Sequence, residues 1–196
     1  MTTSAHEYRE AILDLLPPQG EWSEAEYLWL TDRGNRLIEL NDGVLEVLPM
    51  PTRRHQAILQ WLAFAFFAYI QPRGGVSFFA PLRLLIGPDH FREPDLLLLR
   101  DAADPRNQDR YWLGADLVLE VVSADEPARD LITKRREYAE AGIPEYWIVN
   151  PLTQTITVLL LRDGQYVEHG VFTRGQRATS ALLPEFAVDV AEVFAA

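Results

Sequence analysis

Three charged side chains stand where their neighbours call for burial. Asp95 opens the apolar run "LLLL" directly after Pro94, and Glu120 interrupts "LVLEVV". Lys134 falls on the stripe Leu131, Lys134, Tyr138, Ala141, the three-and-four spacing of one helix face. An isolated carboxylate in such surroundings is costly unless it is paired, protonated or bound to a metal. Adjacent strands could bring Asp95 and Glu120 together, and two close carboxylates repel unless a proton or a cation sits between them. A hard divalent ion such as Mg²⁺ takes oxygen ligands, often only one or two of them protein carboxylates, and keeps waters for chemistry. An inward ammonium from Lys134 would balance residual charge and could hold a water or a phosphate oxygen. Two further residues join the candidates. Glu39 is a lone acid in "LIEL", and His55 shares a helix face with Leu59, Leu62 and Phe66, from where it could contact a phosphate or shuttle a proton.

The elements that must carry these residues can be read from pattern. A first helix is expected within Ala5 to Leu16, stopped by Pro17-Pro18. A second starts at Ser23, with Glu26 completing a capping box, and ends near Gly34. "RLIEL", a turn at Asn41-Asp42-Gly43 and "VLEVLP" form a hairpin. A long helix follows from Thr52 to Gln71. Then come three strands, "VSFFAPLRLLI", "REPDLLLLR" and "DLVLEVVS", the last two separated by the polar loop "DAADPRNQDRYWLGA". A helix is expected from Pro127 to Ala141, stopped at Gly142, then the strand "EYWIV" and the hairpin "TITVLLL"–Asp163-Gly164–"QYVEHGVF". The tail "DVAEVFAA" reads as a short helix. This is an α/β (α+β mixed) pattern with helices covering a mixed sheet, and Leu117 to Val149 fits a right-handed parallel crossover.

Composition narrows the function classes. The chain has 196 residues, 48% of them hydrophobic, which suits one domain spanning 1–196. It has no cysteine, so disulfides, thiolate metal sites and a cysteine nucleophile are excluded. Its 29 acidic against 18 basic residues, a formal charge of −11, argue against a protein that coats nucleic acid through phosphate neutralisation. They do not exclude a nuclease, whose acidic site meets phosphate through a cation. The start "MTTSAHEYREAILDLLPP" has no basic stretch leading into an apolar core. The most apolar run, Ile58 to Ile70, is shorter than the ~20 residues of a bilayer span. The expectation is a cytoplasmic protein without membrane contact.

"EPDLLLL", the separated "LVLEVVS" and then "DLITKRREYAEAGIPEYWIVNP" resemble the Uma-two family of nucleases, within the PD-(D/E)XK restriction-endonuclease-like superfamily. "RLIELNDGVLEVLPMPTRRHQ" is similar to that family's N-terminal hairpin and helix. The resemblance runs from about Glu24 to Phe194, and its long stretch through "EYWIVNP" is the most specific part. It implies a restriction-endonuclease-like core, with a mixed central sheet flanked by helices and preceded by N-terminal helices and a β-hairpin. It also implies roles. Asp95 matches the Asp of PD, Glu120 matches the acid of (D/E)XK, and the Val121 carbonyl would be a third ligand to Mg²⁺ or Mn²⁺. The lysine position of the motif falls on Val122. The resemblance implies that Lys134, on the next helix, supplies the ammonium, with Asp130 able to pair with it. Glu39 matches an extra upstream acid. The expected activity is metal-dependent endonucleolytic hydrolysis of nucleic acid, DNA first, by a possible homodimer.

Each residue also has a plainer reading. Asp95 could bind backbone N–H groups at a strand entry. Glu120 could pair with Arg92 or Arg83, and Lys134 could lay its stem along the core. Glu39 could be an ordinary ion-paired strand acid, and His55 a satisfied half-buried histidine. His6, His90 and His169 read as surface residues. Two rival functions follow: a nuclease fold kept as an idle binding or regulatory module, and a metal-free hydrolase working through two carboxylates.

Overall fold

The computed structural model describes Leu13 and residues 15–196. The helix expected within Ala5 to Leu16 therefore lies almost wholly outside the described residues, as does His6. Helix α1 (Glu24–Thr31) begins where the capping box places it: the Ser23 side chain accepts from the Glu26 N–H, and Glu26 accepts in return from the Ser23 N–H. Strands β1 (Ile38–Asn41) and β2 (Val44–Val47) form the first hairpin. Its turn residues Asp42 and Gly43 both take positive φ, 47° and 75°, as the Asp-Gly signal requires. Helix α2 (Arg53–Ile70) is capped by Thr52 and ends at Gln71.

The next segments depart from the single strands expected. "VSFFAPLRLLI" is two strands, β3 (Val76–Phe79) and β4 (Leu84–Gly87), broken at Pro81, which has no N–H for a ladder. "REPDLLLLR" is also two, β5 (His90–Arg92) and β6 (Leu96–Leu99), broken at Pro94. The breaks matter because the chain changes sheets at both. β4 and β5 belong to a four-stranded sheet in the order β2-β1-β5-β4. β3 and β6 belong to a six-stranded sheet with β7 (Leu117–Val121), β8 (Glu145–Asn150), β9 (Thr155–Arg162) and β10 (Gln165–Phe172), in the order β10-β9-β8-β7-β6-β3.

β7 and β8 are parallel, joined by helix α3 (Lys134–Glu140), and the other pairs in that sheet are antiparallel. A small pair, β11 (Arg177–Thr179) with β12 (Ala187–Asp189), was not foreseen; helix α4 (Val190–Ala195) ends the chain on an Asp189 cap. Alternation along the strands splits the core. Leu96, Leu98, Leu117, Leu119 and Val121 face α2 and α4, while Leu97, Leu99, Val118 and Val122 face α3. The N-terminal hairpin closes a third cluster around Tyr27, Leu40 and Phe91. The fold is a mixed central sheet flanked by helices. Among the described residues no helix is long and apolar enough to cross a membrane.

The helix after β7 is irregular at its start. Residues 129–133 form a π turn, with the Lys134 N–H bonded to the Arg129 carbonyl. The wider turn rotates the stripe. Leu131 and Ile132 face solvent and Asp130 is buried, whereas Lys134 and Tyr138 stay inside as expected. Leu131 therefore leaves the core face assigned to it. Arg135 and Arg136 are exposed.

Candidate active site

The site lies at the end of β6 and β7, where the chain crosses between sheets. Register pairs Leu96 with Leu119, which brings the preceding Asp95 beside Glu120. Asp95 Oδ2 accepts the Val121 N–H at 2.7 Å and the His55 Nε2 at 3.1 Å. The plain reading of Asp95 as a backbone acceptor is thus part of its geometry, but through one oxygen. Glu120 Oε1 accepts from Lys134 Nζ at 2.8 Å and from the Tyr138 hydroxyl at 2.6 Å. Neither Arg92 nor Arg83 pairs with Glu120. Arg92 holds Glu137 through two bonds of 2.9 Å, Glu39 at 2.8 Å and Glu46 at 2.9 Å, and Arg83 reaches Asp32 and Thr31. Glu120 obtains an ammonium and a phenol in return for its burial.

Lys134 serves three acids. Besides Glu120 it lies 3.3 Å from Glu39 Oε1 and 3.7 Å from Asp130 Oδ1. Burial would lower its pKa, but Glu120, Glu39 and Asp130 outweigh that and hold the ammonium charged. Glu39 is fully engaged. Its other oxygen takes Arg92, and Oε1 also accepts the Glu93 N–H at 3.0 Å. Burial opposes its ionisation, yet Lys134 and Arg92 pull its pKa down from the ordinary 4.5 to about 2. Glu39 is placed to fix Lys134 and the start of the "EPD" segment.

Glu120 is shifted the other way. Its burial outweighs Lys134, and the charges of Asp95, Asp130 and Glu39 add to the upward push. His55 is held above its ordinary pKa: burial lowers it, but the bond to Asp95 and the acids around it raise it further. Its Nδ1 is buried without a hydrogen-bond partner among the described residues. The other histidines divide. His169 is exposed and bonds Thr179 at 3.0 Å, but His90 is only half-exposed and lies 3.7 Å from Glu137, correcting its reading as a surface residue.

All five candidates are thus accounted for. Asp95, Glu120, Lys134 and His55 line one narrow cleft of about 50 Å³, and Glu39 stands directly behind Lys134. Glu93 and Arg129 line the same cleft and were not singled out from sequence. Glu93 sits two residues before Asp95 and keeps Oε2 buried without a partner among the described residues. Burial, then Glu39, pushes its pKa up to about 8. An acid between the Arg92 strand and Pro94 was the available signal. Tyr138 was legible as a core position but not as a partner of Glu120.

A model of the family described as "Putative restriction endonuclease" (Uma2) matches residues 24–191. The chain belongs to the Uma2 family. That match spans the hairpin carrying Glu39, the crossover carrying Glu120 and Lys134, and the "EPD" segment between them. Among solved structures, the chain is similar to a protein described as a putative nuclease belonging to DUF820 from Anabaena variabilis. The TM-score is 0.67 at 20% identity, over 81% of this chain and 89% of that one. At that identity the likeness bears on the fold. No curated protein gives a significant match.

The resemblance implies a divalent ion, and the donor set can be compared with its needs. Asp95 Oδ1 and Glu120 Oε2 take no protein hydrogen bond among the described residues. Each carboxylate therefore engages the protein through one oxygen and leaves the other free. The buried acids around Lys134 also outnumber it, so a further positive charge would relieve repulsion. Among the described residues no three His, Asp or Glu side chains gather as a metal cage. A two-carboxylate set completed by a backbone carbonyl and waters is the kind of site Mg²⁺ accepts, and the cleft has space for an ion and a few waters.

Proposed function

We propose that this Uma2 protein is a Mg²⁺- or Mn²⁺-dependent endonuclease that hydrolyses phosphodiester bonds, with DNA as its substrate. One observation carries the reading: Asp95 and Glu120 meet at one cleft with the Lys134 ammonium bonded to Glu120. Asp95, Glu120 and the Val121 carbonyl would hold the ion. When bound, a divalent ion polarises a phosphoryl oxygen and makes a coordinated water more acidic. The protein's own groups supply the rest.

Glu39 and Asp130 fix Lys134 against the cleft, where its ammonium stabilises charge developing on the phosphoryl group. Tyr138 and Lys134 both hold Glu120 Oε1, which leaves Oε2 without a protein hydrogen bond among the described residues. Asp95 orients the His55 ring through Nε2 at the cleft wall, where its positive form would sit beside the phosphate. The lysine lost from the strand at Val122 is replaced from the helix. Val122 itself packs into the core on the α3 side.

The test is calorimetric titration of Mn²⁺ into wild type and Asp95→Ala, paired with cleavage of plasmid and oligonucleotide DNA. Saturable binding that Asp95→Ala loses, and cleavage that Glu120→Gln nearly abolishes without altering the circular dichroism, are expected. Undiminished turnover in Glu120→Gln, or cleavage that survives excess chelator, would overturn the mechanism. A folded wild type that binds no ion with or without DNA would leave the fold as an idle binding module.

A further inference from the structure

The cleft holds more than one cation, and they are not equally free. Lys134 is committed. Its ammonium meets Glu120 at 2.8 Å, Glu39 at 3.3 Å and Asp130 at 3.7 Å, one acid for each of its three protons. His55 is tied through Nε2 to Asp95. Arg129 lines the same cleft and differs from both. Its side chain is 13% exposed, and its one ion-pair contact among the described residues is Glu126 at 3.9 Å, itself 68% exposed. That distance is too long for a hydrogen bond. Arg129 Nε is buried without a partner among the described residues. An arginine that merely covered the core would carry its charged head into water. A buried, unengaged donor on a charged group is costly until a ligand completes it.

The π turn is what puts Arg129 there. On a regular α-helix, residues five apart sit about 140° apart around the axis, so Arg129 and Lys134 could not share a face. The bond from the Lys134 N–H to the Arg129 carbonyl spans five residues and closes a wider turn. Both side chains then line one cleft. The irregular turn sets a second cation beside the acids.

We infer that the Arg129 guanidinium grips the non-bridging oxygens of a nucleic-acid phosphodiester in this cleft. The inference rests on the nuclease reading above and deepens it: Lys134 acts on the phosphate by its charge, and Arg129 by direct bonds. The planar fork of a guanidinium matches two phosphate oxygens at once, which an ammonium does not. Glu93, Asp95, Glu120 and Asp130 line the same cleft, and they would repel an anion that met no cation there. A volume of about 50 Å³ admits one such group at a time. A phosphate contact reads no base, so Arg129 supports turnover without setting a sequence preference.

Binding and cleavage of a short DNA duplex test this with wild type, Arg129→Met and Arg129→Lys, each checked by circular dichroism. Binding is read by fluorescence anisotropy over a series of KCl concentrations with Ca²⁺, a hard cation that takes the same oxygen ligands. Loss of one phosphate contact should reduce the slope of log K against log[KCl] by about 0.9 in Arg129→Met. Single-turnover cleavage in Mg²⁺ should fall about 100-fold or more. Arg129→Lys keeps the charge, so it should recover the slope but only part of the rate; it decides the matter by itself should Arg129→Met not fold. Mn²⁺ affinity should be no weaker than wild type in either variant, because neither removes a proposed ion ligand, whereas a purely structural arginine would lower it together with stability. An unchanged slope in Arg129→Met, or a cleavage rate that it leaves intact, would overturn the inference and leave the nuclease reading standing. Arg129→Lys matching wild type in rate as well as slope would overturn the bidentate grip. A wild type that binds no DNA would overturn both readings. A wild type that binds DNA with the Arg129-dependent slope, yet neither binds Mn²⁺ nor cleaves, would sink the nuclease mechanism and keep the phosphate contact.

Discussion

Replacing Lys134 by methionine removes the one ammonium that faces Glu120, Glu39 and Asp130, at 2.8, 3.3 and 3.7 Å. Lys134 is 2% exposed, and methionine keeps much of its apolar stem. The loss is therefore mainly one of charge. Breaking a buried ion pair by removing one partner costs about 3–5 kcal/mol. Glu39 keeps Arg92 but loses Lys134, the largest of the charges that hold its pKa down, so the penalty is shared by all three acids. In the variant, burial and mutual repulsion hold the folded-state pKa values of Glu120 and Asp130 further above their unfolded values. Carboxyls raised in this way favour the fold below their unfolded pKa, and that contribution is lost as pH rises through the folded pKa. Glu39 is ionised well below neutral pH, so part of the deficit is already present at pH 5. Because the Glu120 pKa is already raised to about 8 in wild type, its share of the deficit grows only as pH rises above about 8, by up to about 1.4 kcal/mol per pH unit. Urea unfolding read by tryptophan fluorescence at pH 8 and pH 9.5 measures this directly. A variant within about 1 kcal/mol of wild type at pH 8 would refute the assignment of Lys134 as the charge that makes these acids tolerable. So would an equal deficit at both pH values.

Glu39→Gln should lose stability of order 3 kcal/mol at neutral pH, because Glu39 is buried and its pKa lies near 2 instead of 4.5. A lowered carboxyl stabilises above its unfolded pKa, so the gap between wild type and variant should close as pH falls from about 4.5 toward 2; denaturation at pH 3 and 7 checks this. Gly43→Ala should cost roughly 2–3 kcal/mol. A Cβ there would meet the Gly20 backbone at 2.6 Å, whereas at Gly164, with the same φ sign, it meets nothing within 4 Å. Thermal melts should rank Gly43→Ala well below Gly164→Ala, which pays only the left-handed backbone cost.

Much of this arrangement was legible in the chain. The Asp42-Gly43 and Asp163-Gly164 turns, the Ser23–Glu26 capping box and the alternation around Glu120 are local signals, and the structure follows them. The strand boundaries at Pro81 and Pro94 were equally local but were read as continuous, because the flanking apolar runs look alike whichever sheet receives them. Asp95, Glu120 and Lys134 were visible as charges in apolar context. Asp130 beside Lys134 was expected and is found, but the Tyr138 hydroxyl on Glu120 and the His55 ring on Asp95 meet them only through tertiary packing. The π turn was hidden for a different reason. Periodicity assumes a constant twist, and one wider turn at residues 129–133 exchanges Leu131 for Asp130 on the inner face without any change in composition.

Bringing the ammonium from α3 and not from Val122 divides the site between two kinds of scaffold. The acids ride on central strands, laddered on both sides. The lysine rides on a helix that starts with a weakened turn and rests on one face of the sheet. Amide exchange of such a unit is expected to proceed by its own opening, faster than that of the ladder beneath it. In that opened form both acids remain beside each other at the strand ends, and the ammonium is withdrawn. In the proposed mechanism, holding an ion and offsetting charge at the phosphate would then be separate properties, able to change independently under mutation.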